Sequence, residues 1–187
     1  DDAPVRPAKG MDGKDIIVTC RFAGRDVCVR VWDAQVGRIR VLLLDTDIAQ
    51  NDATDRQITR QLYGGDSQTR LQQEIILGIG GVRALRAAGL EPQVWHINEG
   101  HAAFMTLERV REHVGTGLDF GSALEVVAAN TVFTTHTPVK AGHDVFDREL
   151  AHAYLSDFSK EIGTTHDQPM AIAGDDHDSP GFNMTRL

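Results

Sequence analysis

Two short segments hold the residues best suited to chemistry. One is Trp95-His96-Ile97-Asn98-Glu99-Gly100-His101, the other Thr134-Thr135-His136-Thr137-Pro138. Each stands where a hydrophobic run that reads as a strand gives way to polar residues. A carboxylate (Glu99), an amide (Asn98) and two imidazoles (His101, His136) then lie at strand ends. In open α/β sheets such groups matter most beyond the carboxyl ends of the strands, where ligands bind. Gly100 lets the chain turn sharply and opens the backbone at the start of a helix. Free N–H groups there favour anions or sugar hydroxyls.

The intervening elements should bring the two segments together. Residues 92–97 read as a strand. Residues 101–114 read as a helix with Ala103, Leu107, Val110 and Val114 on one face, and 119–129 as a second helix. Residues 131–135 read as the next strand. A strand, a helical crossover and another strand form a right-handed parallel unit. Both strands then end on one sheet edge, about 4.8 Å apart. Asn98, Glu99, His101 and His136 are therefore expected to share a pocket. Duller roles stay open: Glu99 as a partner of the helix dipole, His101 as a first-turn cap, His136 as an anchor of the strand–loop junction. His143 and Asp144 read as loop structure, and His113, His152, His166 and His177 as surface residues.

The rest of the chain reads as support. Residues 1–14 are rich in Pro, Asp and Gly and are expected to form a flexible lead-in. Strands over 16–22, 27–32 and 39–44 follow as a β-meander, with Val27, Val29 and Val31 alternating with Cys28, Arg30 and Trp32. The loop over 45–55 carries four aspartates, but their spacing lacks the glycine and terminal glutamate of a calcium loop. A short helix over 55–62 and a turn at Tyr63-Gly64-Gly65-Asp66 lead to a longer helix over 67–88. Asp66 or Ser67 caps its start, and Leu71, Ile75, Ile79 and Val82 share a face. Gly78-Ile79-Gly80-Gly81 lies inside that helix, so it reads as close packing by Gly78 and Gly81, not as a nucleotide loop. Residues 146–156 read as a helix, 163–180 as an exposed loop, and 183–187 as the first turn of a further helix. There is no internal repeat.

Composition bounds the function. The chain has 187 residues and a formal net charge of −8. That argues against a general affinity for nucleic-acid backbones or anionic membranes. No apolar run spans a bilayer and no signal-peptide pattern opens the chain, so a cytoplasmic protein is expected. Cys20 and Cys28 fall in neighbouring strands, where a disulfide is geometrically allowed and reduced thiols are the default. No Cys-x-x-Cys pair points to zinc. A start at Asp1 and an end inside an apparent helical turn read as a fragment of a larger protein.

Several motifs occur in a familiar order and spacing: Tyr63-Gly64-Gly65-Asp66, Leu71-Gln72-Gln73-Glu74, His96-Ile97-Asn98-Glu99-Gly100-His101-Ala102-Ala103-Phe104, Thr134-Thr135-His136-Thr137-Pro138-Val139 and Phe182-Asn183-Met184-Thr185. From about residue 15 to residue 187 the chain resembles the bacterial α-glucan (glycogen/starch/maltodextrin) phosphorylases, in the branch distinct from the animal-type enzymes. The resemblance implies an α/β, Rossmann-like fold: residues 15–187 as part of the N-terminal catalytic domain of a GT-B glycosyltransferase, with the second, cofactor-bearing domain absent. It implies phosphorolysis of an α-1,4-glucan by orthophosphate to α-glucose 1-phosphate, with retained configuration. It implies pyridoxal 5′-phosphate on a lysine outside this chain, with no cofactor-binding residue and no metal within it. His136 matches the histidine that orients the glucosyl unit and offers its backbone carbonyl to the oxocarbenium. Asn98, Glu99 and His101 match the cluster lining the same site, where animal-type relatives carry aspartate in place of Glu99. Asp66, Gly100 and Thr137 fall on the substrate-binding side, and residues 63–66 match the start of a gating loop. The isolated chain is expected to be inactive. Oligomeric state is left open, with a homodimer allowed.

Two other classes compete. A metal-dependent hydrolase would use His96, Glu99, His101 and His136 as ligands, since imidazoles and a carboxylate suit zinc. A non-catalytic glucan-binding module would need aromatic stacking platforms, and aromatic content is only 6%.

Overall fold

A computed structural model describes residues 5–62, 65–136, 144–165, 167–174 and 181–187. Strands β1 (Val5–Pro7), β2 (Ile17–Phe22), β3 (Arg25–Val36) and β4 (Ile39–Asp45) form an antiparallel sheet. β1 and β2 pair with successive parts of β3, and β4 pairs with its other edge. The β2–β3 hairpin turns through Ala23 and Gly24, both at positive φ, as a two-residue hairpin loop requires. Val27, Val29 and Val31 are buried as the alternation predicts. The segment expected to be a flexible lead-in is part of this sheet from Val5 onward, and Ala8 is buried. Pro7 is tolerated because the strand lies at an edge. Cys20 pairs with Val27 and Cys28 with Thr19, so the two thiols point to opposite faces and both are free. Burial pushes the Cys20 thiol up to about 12.

The expected long helix is present in three parts: α1 (Ser67–Ile75), a π-helical turn (Ile76–Gly80) and α2 (Gly81–Ala87). Asp66 caps α1 by accepting the Thr69 N–H at 2.8 Å. Close packing falls to Gly78 and Gly80. A Cβ on Gly78 would lie 2.7 Å from Met105 N and from Phe104 Cβ, and one on Gly80 would lie 3.1 Å from Cys20 Sγ. Gly81, expected to share that role, faces open space. Gly78→Ala should therefore lower stability by roughly 1–3 kcal/mol, even though alanine favours a helix, because the helix itself must move off the Phe104–Met105 backbone. Chemical denaturation would check this; an unchanged or raised midpoint would contradict it.

The parallel unit forms as expected. β5 (Trp95–Asn98) leads through a 3-10 turn (Gly100–Ala102) to α3 (Phe104–Gly115), α4 (Phe120–Ala129) and β6 (Thr131–Thr134). The two strands pair in parallel from Trp95↔Thr131 to Asn98↔Thr134. Phe104, Leu107 and Val110 of α3 are fully buried against the antiparallel sheet and its helices.

Other expectations fail for identifiable reasons. The helix over 55–62 is only a 3-10 turn (Asp55–Gln57), because the Asp55 carboxylate is drawn inward to accept three bonds from Arg25. β7 (Val145–Phe146) precedes α5 (Arg148–Ile162), which is capped by Asp147 and ended by Gly163 at positive φ. The region 163–180 is not wholly an exposed loop: α6 (Asp167–Ile172) packs Met170 into the core, and Ala173 follows it there. Residues 183–187 do not start a helix. β8 (Phe182–Asn183) pairs with β7, Phe182 stacks on Phe104 at 5.8 Å, and Met184 is buried. Among the described residues, no helix is long and apolar enough to cross a membrane.

Candidate active site

The ends of β5 and β6 meet as the parallel register requires. Asn98 Oδ1 and His136 Nε2 lie 2.8 Å apart, and the Glu99 N–H donates to the Thr134 carbonyl at 2.9 Å. Glu99 is 8% exposed and spans the two strand ends. One carboxylate oxygen accepts the backbone N–H of His136 at 2.5 Å, and the other accepts the Thr135 hydroxyl at 3.3 Å. Glu99 also takes φ 63° and ψ 178°. A β-carbon at positive φ is strained by about 1–3 kcal/mol and persists only where surrounding bonds enforce it. The sharp turn expected at Gly100 therefore sits at Glu99. Gly100 instead answers a close approach, because a Cβ there would lie 3.0 Å from Met184 Cβ.

His101 turns toward a different set of partners. Its Nδ1 lies 2.9 Å from Asp144 Oδ2 and 3.7 Å from Glu74. Arg70 donates to the same Asp144 oxygen at 2.9 Å and to Glu74 Oε1 at 3.2 Å. Asp144, expected to be loop structure, is thus a member of the site. Glu74 is not among the residues the sequence singles out as candidates; its signals are its place in the Leu71–Glu74 motif and its i,i+4 spacing from Arg70 on α1. A cavity of about 460 Å³ opens beside Arg70, Glu74 and His101, walled by Leu42, Leu44 and Leu77.

Glu74 is 2% exposed. Burial, reinforced by the Asp144 carboxylate beside it, pushes Glu74 up to about 10. Burial alone would raise Asp144 too, but the hydrogen bond from Glu74, with the charges of Arg70 and His101, holds it below the usual carboxylate range. The opposite shifts favour the proton on Glu74 and the charge on Asp144. Between the ordinary glutamate value and about 10 the native state holds one proton more than the unfolded chain. Stability from this group is complete at low pH and is lost as pH rises, by up to about 1.4 kcal/mol per pH unit for one proton. The lowered Asp144 acts oppositely, losing its contribution only as pH falls below its ordinary value. Glu74→Gln should thus gain on the wild type steadily from pH 5 to pH 9. Melting temperatures at pH 5, 7 and 9 test this; parallel curves would sink it.

The other expected residues lie elsewhere. Asp66 is exposed, and the Thr69 N–H and hydroxyl hold its carboxylate below the usual range. Thr137, Lys140 and His143 fall outside the described residues, as do His166 and His177. His152 is exposed and His113 half-buried. His96 shares the exposed face of β5 with Asn98 and bonds the Thr134 hydroxyl at 2.6 Å.

The proposed metal set does not assemble. The Glu99 carboxylate is engaged by His136 N–H and Thr135, while His101 faces Asp144. Glu74, His101 and Asp144 do lie within 4.8 Å of one another, but Arg70 already donates to both carboxyls. The tryptophans are also engaged: Trp95 is buried beneath Arg86 and Arg109, and Trp32 donates to Asp45. Lys9, Lys14 and Lys160 are exposed and paired with Asp15, Asp12 and Asp157. None suits an imine-forming cofactor, which needs a desolvated amine.

A strand–helix–strand unit with its polar residues at the carboxyl ends defines an α/β fold of the class that binds ligands at that edge. Among solved structures, the catalytic domain of starch synthase IV from Arabidopsis thaliana, bound to ADP and acarbose, matches with a TM-score of 0.54 at 16% identity. The match covers 98% of this chain and 32% of that one, and it assigns the GT-B glycosyltransferase fold. No protein-family model matches the chain. Curated relatives do. A glycogen phosphorylase of Mycobacterium tuberculosis is 44% identical over 98% of this chain, and a maltodextrin phosphorylase of Thermococcus litoralis is 40% identical over all of it. A glycogen phosphorylase of Aquifex aeolicus is 30% identical over 97%. The chain belongs to the α-glucan phosphorylase family, as the counterpart of one segment. It spans about a quarter of these relatives' length, between 22% and 26%.

Proposed function

We propose that the protein carrying this chain is an α-1,4-glucan phosphorylase, releasing α-glucose 1-phosphate from glycogen, starch or maltodextrin with orthophosphate and retention of configuration. Residues 15–187 would form part of its N-terminal catalytic domain. The observation that carries the reading is the tie between strand ends: Glu99 fixes the His136 backbone while Asn98 fixes its ring. A histidine held at both points can orient a glucosyl hydroxyl and present its carbonyl to an oxocarbenium-like centre, and such positioning is a substantial source of rate. Asn98 and Thr137 are assigned to the substrate side. Pyridoxal 5′-phosphate would be held by a lysine outside this chain, its phosphate serving as an acid–base partner when bound. The protein is read as cytoplasmic, with a homodimer allowed.

The test is glucose 1-phosphate release from maltoheptaose and orthophosphate by the complete gene product, before and after stripping pyridoxal phosphate. Release that disappears with the cofactor is expected. No release by fully loaded protein would leave only the fold likeness. The isolated 187-residue chain should show no phosphorolysis, and measurable turnover by it would contradict the assignment of cofactor and phosphate contacts to other parts of the protein.

A further inference from the structure

We propose that the cavity at the amino-terminal ends of β5 and β6 binds a small phosphate-type oxyanion, free or as a monoester, with Arg109 as its anchor. The proposal does not depend on the phosphorylase reading. Trp95 opens β5, and Asn130 immediately precedes β6. The cavity beside them has a volume of about 740 Å³. Arg86, Arg109 and Arg111 line it, and the exposed Thr116 is also in its wall. It lies at the other end of the strands from Asn98 and His136, about 10 Å away along β5 at the usual rise per residue. It is therefore separate from the candidate active site.

Arg109 is 2% exposed. Its Nη1 donates to the Thr131 hydroxyl at 2.8 Å, and its Nη2 donates to the Asn130 side-chain oxygen. Both acceptors are neutral. Its guanidinium carbon lies 4.8 Å from the centre of the Trp95 ring, and that of Arg86 lies 5.4 Å from the same ring. Among the described residues, no carboxylate pairs with Arg109. Its neighbours differ. Arg86 is held by both oxygens of Glu112 at 2.9 Å, and Arg111 by both oxygens of Glu108 at 2.7 and 3.1 Å. Burial lowers the Arg109 guanidinium from its ordinary value; Glu112, acting through space, opposes this, and Arg86 adds to it. A buried cation without a counter-charge is costly, and an anion seated against it relieves that cost.

The donor set suits an oxyanion. A guanidinium carries more donors than the two spent on Asn130 and Thr131, and its planar fork matches phosphate oxygens. Arg109 Nε and Arg111 Nη1 have no hydrogen-bond partner among the described residues, so donors remain on two side chains of α3. The three arginines outnumber the glutamates of the lining, Glu91 and Glu112, in a chain whose net charge is −8. The volume is that of a small-molecule pocket, so room remains beyond a phosphate for the body of a monoester. The rival occupant is a carboxylate side chain from another part of the complete protein, which would exclude added phosphate.

The experiment uses the complete gene product labelled with fluorotryptophan and read by fluorine NMR, with the Trp95 signal assigned by its loss in Trp95→Phe. The probes are inorganic phosphate, ribose 5-phosphate, ribose, and sodium chloride at matched ionic strength. The expected result is a saturable shift of the Trp95 signal with phosphate or ribose 5-phosphate, with Kd below about 1 mM, and none with ribose or chloride. Tighter binding of ribose 5-phosphate would assign the site to a monoester; equal binding would assign it to the free ion. Arg109→Gln should abolish the shift. Because that change also alters the ties to Asn130 and Thr131, Thr116→Glu is the second variant. It places a negative charge in the wall at an exposed position and should weaken binding at least about tenfold, with the melting temperature unchanged. No saturable shift with either phosphate up to about 20 mM, or the same shift with chloride, would overturn the proposal. So would an affinity unchanged in Thr116→Glu, since the phosphate would then be acting from elsewhere.

Discussion

Replacing Glu108 by alanine is expected to lower folding stability by about 3–5 kcal/mol. Glu108 is 0% exposed and accepts four hydrogen bonds, from Arg83 at 2.8 and 2.9 Å and from Arg111 at 2.7 and 3.1 Å. Arg83 also donates to the Thr19 carbonyl at 2.7 Å and pairs with Glu161 at 3.6 Å. One carboxylate thus joins α3 to α2 and, through Arg83, to β2 and α5. Truncation leaves two guanidiniums without their shared acceptor, one of them largely desolvated, and that penalty exceeds the net worth of the pair itself. For a domain of this size the melting temperature should fall by roughly 6–20 °C. Glu108→Gln should fall less, because the amide oxygen still accepts. A shift below about 2 °C in Glu108→Ala by scanning calorimetry would show that the cluster is not structural.

Glu99→Ala should reduce kcat/KM for glucose 1-phosphate release by about 10²–10³-fold. Alanine removes both acceptors that hold the segment after β6, the one for His136 N–H and the one for the Thr135 hydroxyl. It also keeps the positive φ of residue 99 without the bonds that enforce it. A stability loss of about 1–3 kcal/mol should accompany the rate loss, from the unpaired amide and the uncompensated strain. Glu99→Gly separates the two effects, since glycine accepts the backbone angle freely. It should regain stability over Glu99→Ala without regaining rate. Activity of Glu99→Ala within threefold of wild type would mean that His136 is placed by other contacts. That would remove the observation on which the functional reading rests.

Much of the architecture was legible in the chain because it is local. The alternation of Val27, Val29 and Val31, the helical spacing of Leu71, Ile75 and Ile79, and the polar ends of the two parallel strands all repeat with the period of the element that holds them. The same logic placed Asn98, Glu99 and His136 together, because parallel strands that start together also end together. It could not place His101 correctly. From spacing His101 belonged with His136, whereas its Nδ1 bonds Asp144, a residue that looked like part of a loop.

The tertiary structure alone decided which charges meet. Arg70 and Asp144 lie 74 residues apart in sequence, and Arg83 and Glu108 lie 25 apart. No periodicity records such pairings. Burial then changed how the side chains titrate: Glu74, an ordinary acid on an amphipathic helix by its spacing, is pushed up to about 10 once water is excluded. The positive φ of Glu99 is likewise a product of its surroundings, since intrinsic preference would have put the turn at Gly100. The pairing of β7 with β8 rescued two dipeptides too short to signal a strand, through the stacking of Phe182 on Phe104. The sequence by itself determined the main strands and helices, their order and the edge at which the candidate site forms. Packing decided the protonation, the strain and the long-range ion pairs, because these depend on desolvation and on neighbours that the chain brings together only when folded.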